Sequence, residues 1–475
     1  MDSARSELCF LSATELLDHY RRRALSPVEV VDAVLTQIER LDPHLHAFLT
    51  VTAEEARRQA LEAEYAYAHG EHRPLLGVPV SIKDVTPVAG VRWTSGSLLW
   101  KDRVATEDAP VVERLRAAGA IILGKTNTPE LGWKGDSGNR LIGPTSNPWK
   151  LDRTAGGSSG GAAAAVAAGM GPLAQGTDGA GSIRIPASFC GIVGFKPSFG
   201  RVPYYPPSAV ELLAHVGPMT RTVADAALML SVMAGPDPRD RHSLPLECSD
   251  GEALERDLAG ARVAWLGRVG DVPVDPEVAA IARRAVAVFE DLGCSVEELV
   301  EPLEDPYPVL DILWSVAMAA VHRDDLDAVR DLLDPGRLTV IEHGLRWRGV
   351  DVGWALAERN RYVDRLRQRL ERFDFVVSPT TPVTAFAAGA DHPGQIAGYP
   401  TTYLSWTPFT YPFNISGQPA ISVPCGWTQE GLPVGLQIVG RWRADASVLR
   451  AAAAFERARP WSHQRPPLAS GGETG

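Results

Sequence analysis

Cysteine is scarce in this sequence, with five residues among 475. They are Cys9, Cys190, Cys248, Cys294 and Cys425, and no two of them form a Cys-x-x-Cys pair. An odd number of scattered cysteines argues against a disulfide framework and against a zinc site. We therefore expect reduced thiols, no bound metal and no cofactor, as in a cytoplasmic protein.

Clusters of positive charge are also scarce. The 47 lysines and arginines are outnumbered by 58 acidic residues, and the formal net charge is −11. The basic run that stands out is residues 21–23, in an N-terminal helix pattern. Proteins that bind nucleic acid neutralise phosphates with clustered lysine and arginine. The sequence therefore predicts no nucleic-acid partner.

Long apolar runs are missing as well. The first ten residues, MDSARSELCF, lack the apolar centre of a secretion signal. Residues 154–177 are uncharged and long enough to span a bilayer, but they are mostly glycine, alanine and serine and include Pro172. We interpret this stretch as a buried loop and helix, and we expect a cytoplasmic protein without a membrane partner.

The order of local patterns indicates an α/β fold. Helix signals, among them capping boxes at Ser12 and Ser26, alternate with short apolar strand patterns. Neither an internal repeat nor a long linker divides the chain, so we expect one domain over residues 1–475. Within it, the periodicity of residues 276–372 predicts a helical elaboration, and residues 464–475 predict a disordered tail.

One lysine lies in an apolar segment, GVPVSIKDV. The period of two predicts a strand with Val80 and Ile82 on one face and Ser81 and Lys83 on the other. Burial in such surroundings lowers the pKa of an ammonium group, and a neutral amine can accept a proton. Asp84 would point to the opposite face, so we expect no direct pair with Lys83.

Two glycine-rich turns follow along the chain. The first, GGSSGG with Ser158, opens an alanine-rich pattern that predicts a helix ending near Gly169. By itself it is more typical of a flexible loop or an anion-binding nest than of catalysis. The second, GTDGAGSIR, places Ser182 24 residues later, and its consecutive amides can form an oxyanion hole. Ser182 could also be an ordinary turn serine, and Asp178 with Arg184 is better explained as an ion pair that braces the turn.

These segments belong to a set of motifs spread over nearly the whole chain. The set comprises LLGVPVSIKD, AGAIILGKTNTPE, GPTSNPW, GGSSGGAAAAVAAG, GTDGAGSIRIPASFCGIVGFKPSFGRVP, GPMTRTVADAALML, NISGQPAISVPCGW and GLPVGLQIVG. On these motifs the chain is identified as a member of the amidase signature family. The resemblance implies a central mixed, twisted β-sheet covered on both faces by α-helices, with the signature core at residues 72–235. It also implies that the helical elaboration over residues 276–372 lies near the substrate pocket.

The resemblance also implies a Ser-cisSer-Lys catalytic triad. In it Ser182 is the nucleophile, Ser158 follows a cis peptide bond and relays the proton, and Lys83 is the general base. The implied oxyanion hole consists of the backbone N–H groups of Gly179, Ala180, Gly181 and Ser182. The residues expected to support this site are Ser159, Thr177, Asp178 and Arg184.

One position departs from the family pattern, which commonly has glycine where this chain has Ala180. If the backbone there required a positive φ, alanine would cost about 1 kcal/mol and could displace the oxyanion hole. We expect the triad to tolerate this replacement.

Aromatic residues give the main indication of the substrate. The segment from Tyr399 to Phe413 is rich in them, and such segments approach the acyl pocket in the resembled family. A pocket for a neutral, aryl or hydrophobic amide is therefore predicted from Trp133, Trp314, Tyr403, Trp406 and Phe409. Core packing explains these residues equally well. Carbamates and esters present the same carbonyl to the nucleophile and stay open as substrates, and a monomer or homodimer is expected.

Two competing functions also have support in the sequence. The glutamyl-tRNA amidotransferase A subunit resembles this chain and has the same triad, but it binds glutamine with an acidic residue where our alignment has Thr407. Residues 119–126 match the P-loop pattern GxxxxGK[ST], yet their variable positions predict a strand that follows a helix, so nucleotide binding is not expected. His44 and His46 have metal-like spacing but no further ligands.

Overall fold

The structure, a computed structural model, describes residues 3–245 and 254–469. Its helices are α1 (Ser3–Leu8), α2 (Ala13–Arg21), α3 (Pro27–Leu45), α4 (Ala53–Ala68), α5 (Pro110–Ala117), α6 (Gly160–Ala167), α7 (Arg184–Cys190), α8 (Val223–Met233), α9 (Pro276–Asp291), α10 (Tyr307–Ala320), α11 (Leu326–Val329), α12 (Pro335–Gly344), α13 (Gly349–Leu370), α14 (Pro412–Ile415) and α15 (Asp445–Ala458). Its strands are β1 (Phe48–Val51), β2 (Pro79–Lys83), β3 (Ile121–Thr126), β4 (Ser146–Asn147), β5 (Lys150–Thr154), β6 (Leu173–Asp178), β7 (Val193–Lys196), β8 (His215–Thr220), β9 (Arg262–Trp265), β10 (Ser295–Glu298), β11 (Phe375–Pro379), β12 (Gln395–Ile396), β13 (Tyr399–Pro400), β14 (Ala420–Trp427) and β15 (Pro433–Gly440).

Eleven of these strands form one continuous mixed sheet, in the order β1-β3-β2-β6-β8-β7-β14-β15-β11-β9-β10. Strand β2 lies between β3 and β6 and runs parallel to both. The middle of the sheet, from β6 to β11, is antiparallel, and β9 and β10 continue from β11 in parallel. The sheet thus joins strands of the signature segment to strands from the C-terminal part of the chain.

Helices cover both faces of the sheet. Helices α5, α8, α9 and α15 contribute to the hydrophobic cluster that contains Val80 and Ile82. Helices α4, α6 and α7 contribute to the cluster on the other face, which contains Ile121, Leu123 and Ala174. The predicted α/β fold, with a mixed sheet between two helical layers, is confirmed.

Strand β2 has the alternation that its sequence predicts. All five residues are buried, so the two faces of the strand differ in what their side chains contact and not in how exposed they are. Val80 and Ile82 lie in one core, whereas the Lys83 side chain reaches Ser159 at the N-terminus of α6 on the other face. Asp84 pairs with Lys125 at 2.8 Å, as expected for a residue that points away from Lys83.

The region 276–372 is mostly helical, as its periodicity predicts. It holds α9 to α13 and also β10, a short edge strand that the sequence pattern does not reveal because its residues, SVEE, are mostly exposed and polar. Helix α10 packs against both α12 and α13. Their hydrophobic cluster includes Trp314, Met318 and Ala180, so this region lies close to the second glycine-rich turn. The division of the chain into domains stays a prediction.

The end of the chain is partly described. Arg465 forms an ion pair with Glu7 at 2.7 Å, and Ala469 is buried. Residues 464–469, which the sequence assigns to the tail, therefore pack against the fold. The remainder of the predicted tail, residues 470–475, lies outside the described residues.

Two further sequence expectations concern cysteine and the uncharged stretch. The four cysteines that lie within the described residues are buried, Cys190, Cys294 and Cys425 among them are free, and Cys248 falls outside the described residues. Residues 154–177 are buried and contain the helix α6, as interpreted from the sequence, but residues 173–177 belong to the strand β6 and not to a loop. Over residues 3–245 and 254–469, no helix has both the length and the apolar character needed to cross a bilayer.

Candidate active site

Lys83 is a completely buried lysine at the carboxyl end of β2. Its Nζ atom lies 2.6 Å from Ser158 Oγ, 2.9 Å from Ser159 Oγ and 3.0 Å from Thr177 Oγ1. Burial lowers the pKa of Lys83 to about 7, and the negative charge of Asp178 opposes this only in part. Near neutral pH a large fraction of these amines is therefore uncharged and able to accept a proton.

Ser158 and Ser159 lie in the turn that precedes α6. The peptide bond between Gly157 and Ser158 is cis, as the resemblance implies. A Cβ atom at Gly157 would lie 2.3 Å from the backbone oxygen of Asp136, so no larger residue fits there. Ser159 Oγ donates to the carbonyl oxygen of Thr177 at 3.1 Å and accepts from its amide at 3.3 Å. These contacts tie the turn to the end of β6.

Ser182 lies in the turn between β6 and α7. In this turn the positive φ falls at Gly181, with a value of +132°, and not at Ala180. A Cβ atom at Gly181 would lie 2.5 Å from Thr410 Oγ1, which in turn donates to the carbonyl oxygen of Ala180 at 2.6 Å. The alanine that departs from the family pattern is thus free of the backbone strain that a positive φ would impose.

Asp178 and Arg184 form a fully buried ion pair across this turn, with Arg184 Nε 2.9 Å from Asp178 Oδ2. The same carboxylate accepts hydrogen bonds from the amides of Gly181 and Ile183 and from Asn414 Nδ2. Burial alone would raise the pKa of Asp178, but the charge and hydrogen bonds of Arg184 lower it well below its usual range. The pair makes the contacts expected of a structural brace.

The four amides assigned to the oxyanion hole differ in their partners. The amide of Gly181 donates to Asp178 Oδ1 at 2.7 Å, so it is occupied within the turn. Across the described residues, the amides of Gly179, Ala180 and Ser182 have no hydrogen-bond acceptor. Four backbone donors were expected to be available, but the Asp178 carboxylate already accepts the hydrogen bond of the Gly181 amide. Three donors therefore remain for an oxyanion.

A cavity of about 220 Å³ lies in front of these residues. Ser158, Ser182 and Gly179 line it, together with Thr177 and Asp178. Its other walls include Trp93, Trp100, Arg103, Leu131, Tyr204, Val210, Trp314 and Met318. The two serines that the sequence singled out thus open onto one aromatic-lined space, with Lys83 behind them.

Of the five aromatic residues predicted to line the pocket, Trp314 lies in the wall of this cavity. The structure places the other four in hydrophobic clusters. Trp406 stacks on Phe189 with ring centroids 6.1 Å apart, and Phe409 is fully buried. Trp133 and Tyr403 pack on each other with centroids 6.4 Å apart. For these four residues, core packing is the better explanation, because their rings are enclosed by other side chains.

The sequence analysis missed the cavity residues of the segment RWTSGSLLWKDR. This segment supplies Trp93, Trp100 and Arg103 and lies between β2 and α5. A signal was present, since two tryptophans and an arginine follow shortly after the strand that ends at Lys83. The segment lacks regular secondary structure over most of its length, so no periodicity indicated which way its side chains point.

The competing site patterns have structural explanations. Residues 119–126, which match the P-loop pattern, lead into and form the buried strand β3, and Lys125 pairs with Asp84. His44 lies in α3 and His46 follows it, and among the described residues no group of three or more metal-ligating side chains occurs. Thr407 is buried, and its hydroxyl donates to the carbonyl oxygen of Leu404.

Comparison with known proteins gives the class to which this fold and site belong. The model of the family described as Amidase matches residues 29–449. The chain therefore belongs to the amidase signature family, and the resemblance found in the sequence is confirmed.

Individual relatives cover almost the whole chain. The acylamidase of Rhodococcus erythropolis is 43% identical over an alignment of 469 positions, which covers 97% of this chain and 98% of that protein. The glutamyl-tRNA(Gln) amidotransferase A subunit of Moorella thermoacetica is 39% identical over 490 residues, covering 97% and 99%. The crystal structure of a bacterial aryl acylamidase of the amidase signature family is 34% identical, with a TM-score of 0.90 and coverage of 98% and 99%.

Proposed function

We propose that this amide-hydrolysing enzyme cleaves neutral aryl or hydrophobic amides through an acyl-enzyme on Ser182. The observation that carries the proposal is the 2.6 Å contact between Lys83 Nζ and Ser158 Oγ, made by a lysine whose pKa burial lowers to about 7. A neutral amine in contact with a hydroxyl that shares the cavity of a second serine can serve as the base for both. Neither step of such a relay needs a histidine.

In the proposed first half-reaction, Lys83 takes the proton of Ser158 while Ser158 takes that of Ser182. The Oγ atom of Ser182 then bonds to the carbonyl carbon, and the oxyanion faces the amides of Gly179, Ala180 and Ser182. When the C–N bond breaks, the proton returns from Lys83 through Ser158 to the leaving amine. Water then attacks the acyl-enzyme by the same relay, which releases the acid and restores Ser182.

The substrate class is inferred from the cavity and from the relatives. Three tryptophans, Trp93, Trp100 and Trp314, line a space that suits a flat apolar group. The relatives named acylamidase and aryl acylamidase support the same class. Carbamates and esters offer the same carbonyl, so we extend the proposal to aryl carbamates, whose carbamic acid product would lose carbon dioxide after release.

The amidotransferase relative from Moorella gives a second candidate function, a glutaminase that passes ammonia to partner proteins. Thr407 argues against it, because its hydroxyl is bonded to backbone and it has no charge to pair with the amino group of glutamine. Glutaminase activity that appears on addition of the other two amidotransferase components would favour this candidate over the first.

A substrate panel on the purified protein tests the proposal. It consists of acetanilide, 4-nitroacetanilide, an aryl carbamate and glutamine, assayed with wild type, Ser182→Ala and Ser231→Ala. Ser231 is an exposed serine near the end of α8 and serves as the control. We expect anilide hydrolysis by wild type and Ser231→Ala and none by Ser182→Ala.

Mass spectrometry of the acid-quenched reaction locates the acyl group. The peptide that contains Ser182 is expected to carry it in wild type during turnover. Anilide turnover that persists in a folded Ser182→Ala variant, or an acyl group found on another residue, would contradict the mechanism.

A further inference from the structure

Arg103 lines the same cavity as Ser182 and is held rigidly there. Its guanidinium carbon lies 3.5 Å from the ring centroid of Trp93 and 4.6 Å from that of Trp100. Its Nε donates to the carbonyl oxygen of Trp93 at 2.8 Å, and its Nη2 donates to Ser95 Oγ at 3.1 Å. A guanidinium fixed in this way loses little conformational freedom when it binds a further group.

The positive charge of Arg103 is not paired by any of the residues that the structure describes. Among the described residues, no carboxylate lies within ion-pair distance of it. Asp84 acts on Arg103 electrostatically, but its carboxylate is taken by Lys125 at 2.8 Å and by the amide of Thr94 at 2.9 Å. The group of Asp84, Lys125 and Arg103 therefore keeps one net positive charge.

Asp178 is the other charged residue that the structure places in the cavity wall, and it does not compensate the positive charge of Arg103. Asp178 is neutralised by its ion pair with Arg184 and has no exposed surface. Positive charge near the substrate is thus supplied by Arg103 and is not cancelled within the wall.

The wall also holds other donors without acceptors. Within the described part of the chain, the buried indole Nε1 atoms of Trp93 and Trp314 have no hydrogen-bond partner. Both residues line the cavity, although the two nitrogen atoms themselves have almost no exposed surface.

We propose that Arg103, clamped between Trp93 and Trp100, binds a carboxylate on the substrate at a distance from the scissile amide. This narrows the proposed substrate class: among aryl and hydrophobic amides, those that also carry an acidic group are preferred over their neutral counterparts. The inference rests on the proposed function for turnover, but it can be tested by binding alone. An Arg–carboxylate contact is a charge-assisted hydrogen bond, which is about twice as strong as a neutral one. A substrate with an ammonium group in the same place would be disfavoured.

Arg103 also has a structural contact, because its bond to Trp93 closes the loop that carries both tryptophans. A change in overall activity would not separate the two roles. Arg92 provides a matched control on the same loop: it donates to the carbonyl oxygens of Lys101 and Leu49 and does not line the cavity. Loosening of the loop should affect Arg92→Gln and Arg103→Gln alike, whereas loss of a carboxylate contact should affect only Arg103→Gln.

The turnover experiment compares charged and neutral substrates of equal shape. One pair, 4-acetamidobenzoate and 4-acetamidobenzamide, places the test group on the amine side; the other, succinanilate and its terminal amide, places it on the acyl side. We expect wild type and Arg92→Gln to prefer the carboxylate in one pair by about 10-fold or more in kcat/KM, and Arg103→Gln to lose that preference. Hydrolysis of acetanilide without a carboxylate preference in either pair would overturn the inference and leave the proposed function standing.

The binding experiment does not depend on turnover. Isothermal titration calorimetry of the four compounds uses Ser182→Ala as background, with and without the Arg103→Gln and Arg92→Gln changes. We expect one carboxylate to bind about 10-fold more tightly than its amide, in the background and with Arg92→Gln only. Equal affinities in the background, or a preference that survives Arg103→Gln, would overturn the inference even if no anilide is hydrolysed.

Discussion

Lys83 and Asp178 end two neighbouring parallel strands, β2 and β6, yet the Asp178 carboxylate is hydrogen-bonded to Arg184 and not to Lys83. A carboxylate bonded directly to the amine would hold it in the charged form. The three hydroxyl groups around Lys83 Nζ carry no charge, so burial dominates and the pKa falls to about 7. Because Arg184 pairs with Asp178, no carboxylate bonds directly to Lys83, which is the condition for its proposed role as a base.

The first prediction concerns the pH dependence of activity. Because the proposed base must be neutral, kcat/KM should rise about tenfold per pH unit below about pH 7 and level off above it. Initial rates on 4-nitroacetanilide across this range measure the profile. A rate that is unchanged between about pH 5 and about pH 9 would contradict the role of Lys83 as base.

The second prediction concerns stability, and it uses Lys83→Met. The pKa of Lys83 is about 7 in the folded protein and about 10.5 for a lysine in the unfolded chain. Between these values the unfolded chain binds more protons, so this lysine makes the free energy of unfolding rise with pH from about 7 to 10.5. The full rise is at most about 5 kcal/mol.

Urea denaturation of wild type and Lys83→Met at several pH values measures this effect. The free energy of unfolding of wild type relative to the variant should increase across that window, since every other titrating group is shared. A difference that stays constant with pH would show that the folded-state pKa of Lys83 is not lowered.

The third prediction concerns the brace of the nucleophile turn. Arg184→Met leaves the Asp178 carboxylate buried without its cation, which should cost about 3 to 5 kcal/mol of unfolding free energy. Asp178→Asn in the same chain should recover part of this loss, because it removes the uncompensated charge. Urea denaturation of the two single variants and the double variant measures the coupling. Additive effects would mean that the ion pair does not link the two residues energetically.

The fourth prediction separates cavity from core among the aromatic residues. Trp314→Ala and Trp406→Ala each remove a buried indole and should each lower stability by about 3 to 5 kcal/mol. Trp314 lines the cavity, so its removal should also raise kcat/KM for anilides with a bulky acyl group relative to acetanilide. Trp406 stacks on Phe189, and its removal should leave that ratio unchanged at a temperature where the variant is folded. A changed ratio in Trp406→Ala would contradict its placement.

The sequence predicts the parts of this protein that depend on local pattern. The alternation around Lys83 indicates which face of β2 it occupies, because a strand has only two faces and Val80 and Ile82 take the apolar one. The glycines around Ser158 likewise indicate a tight turn before a helix. Lys83 and Ser158 lie 75 positions apart in the chain, so their contact is not evident from either segment alone. It was the resemblance to the family that implied it.

Other parts could not be predicted because they depend on contacts between distant segments. The sequence does not distinguish a tryptophan that lines a cavity from one that packs in a core. Trp314 and Trp406 therefore cannot be told apart until the neighbours of each are known. Arg103 reaches the cavity only because its loop folds back on Trp93, and no periodicity encodes that fold. The amide of Gly181 is occupied because the Asp178 carboxylate turns toward it, which no spacing rule describes.

The complete burial of Lys83 makes the pH range of this enzyme a property of its interior packing. The amine is surrounded by small side chains and by α6, whose alanines pack directly against the sheet. A substitution there that admitted a single water molecule would rehydrate the ammonium form without touching any reacting atom. Replacement of these alanines in relatives would then shift the pH range in which each enzyme is active, while the reacting groups stay the same.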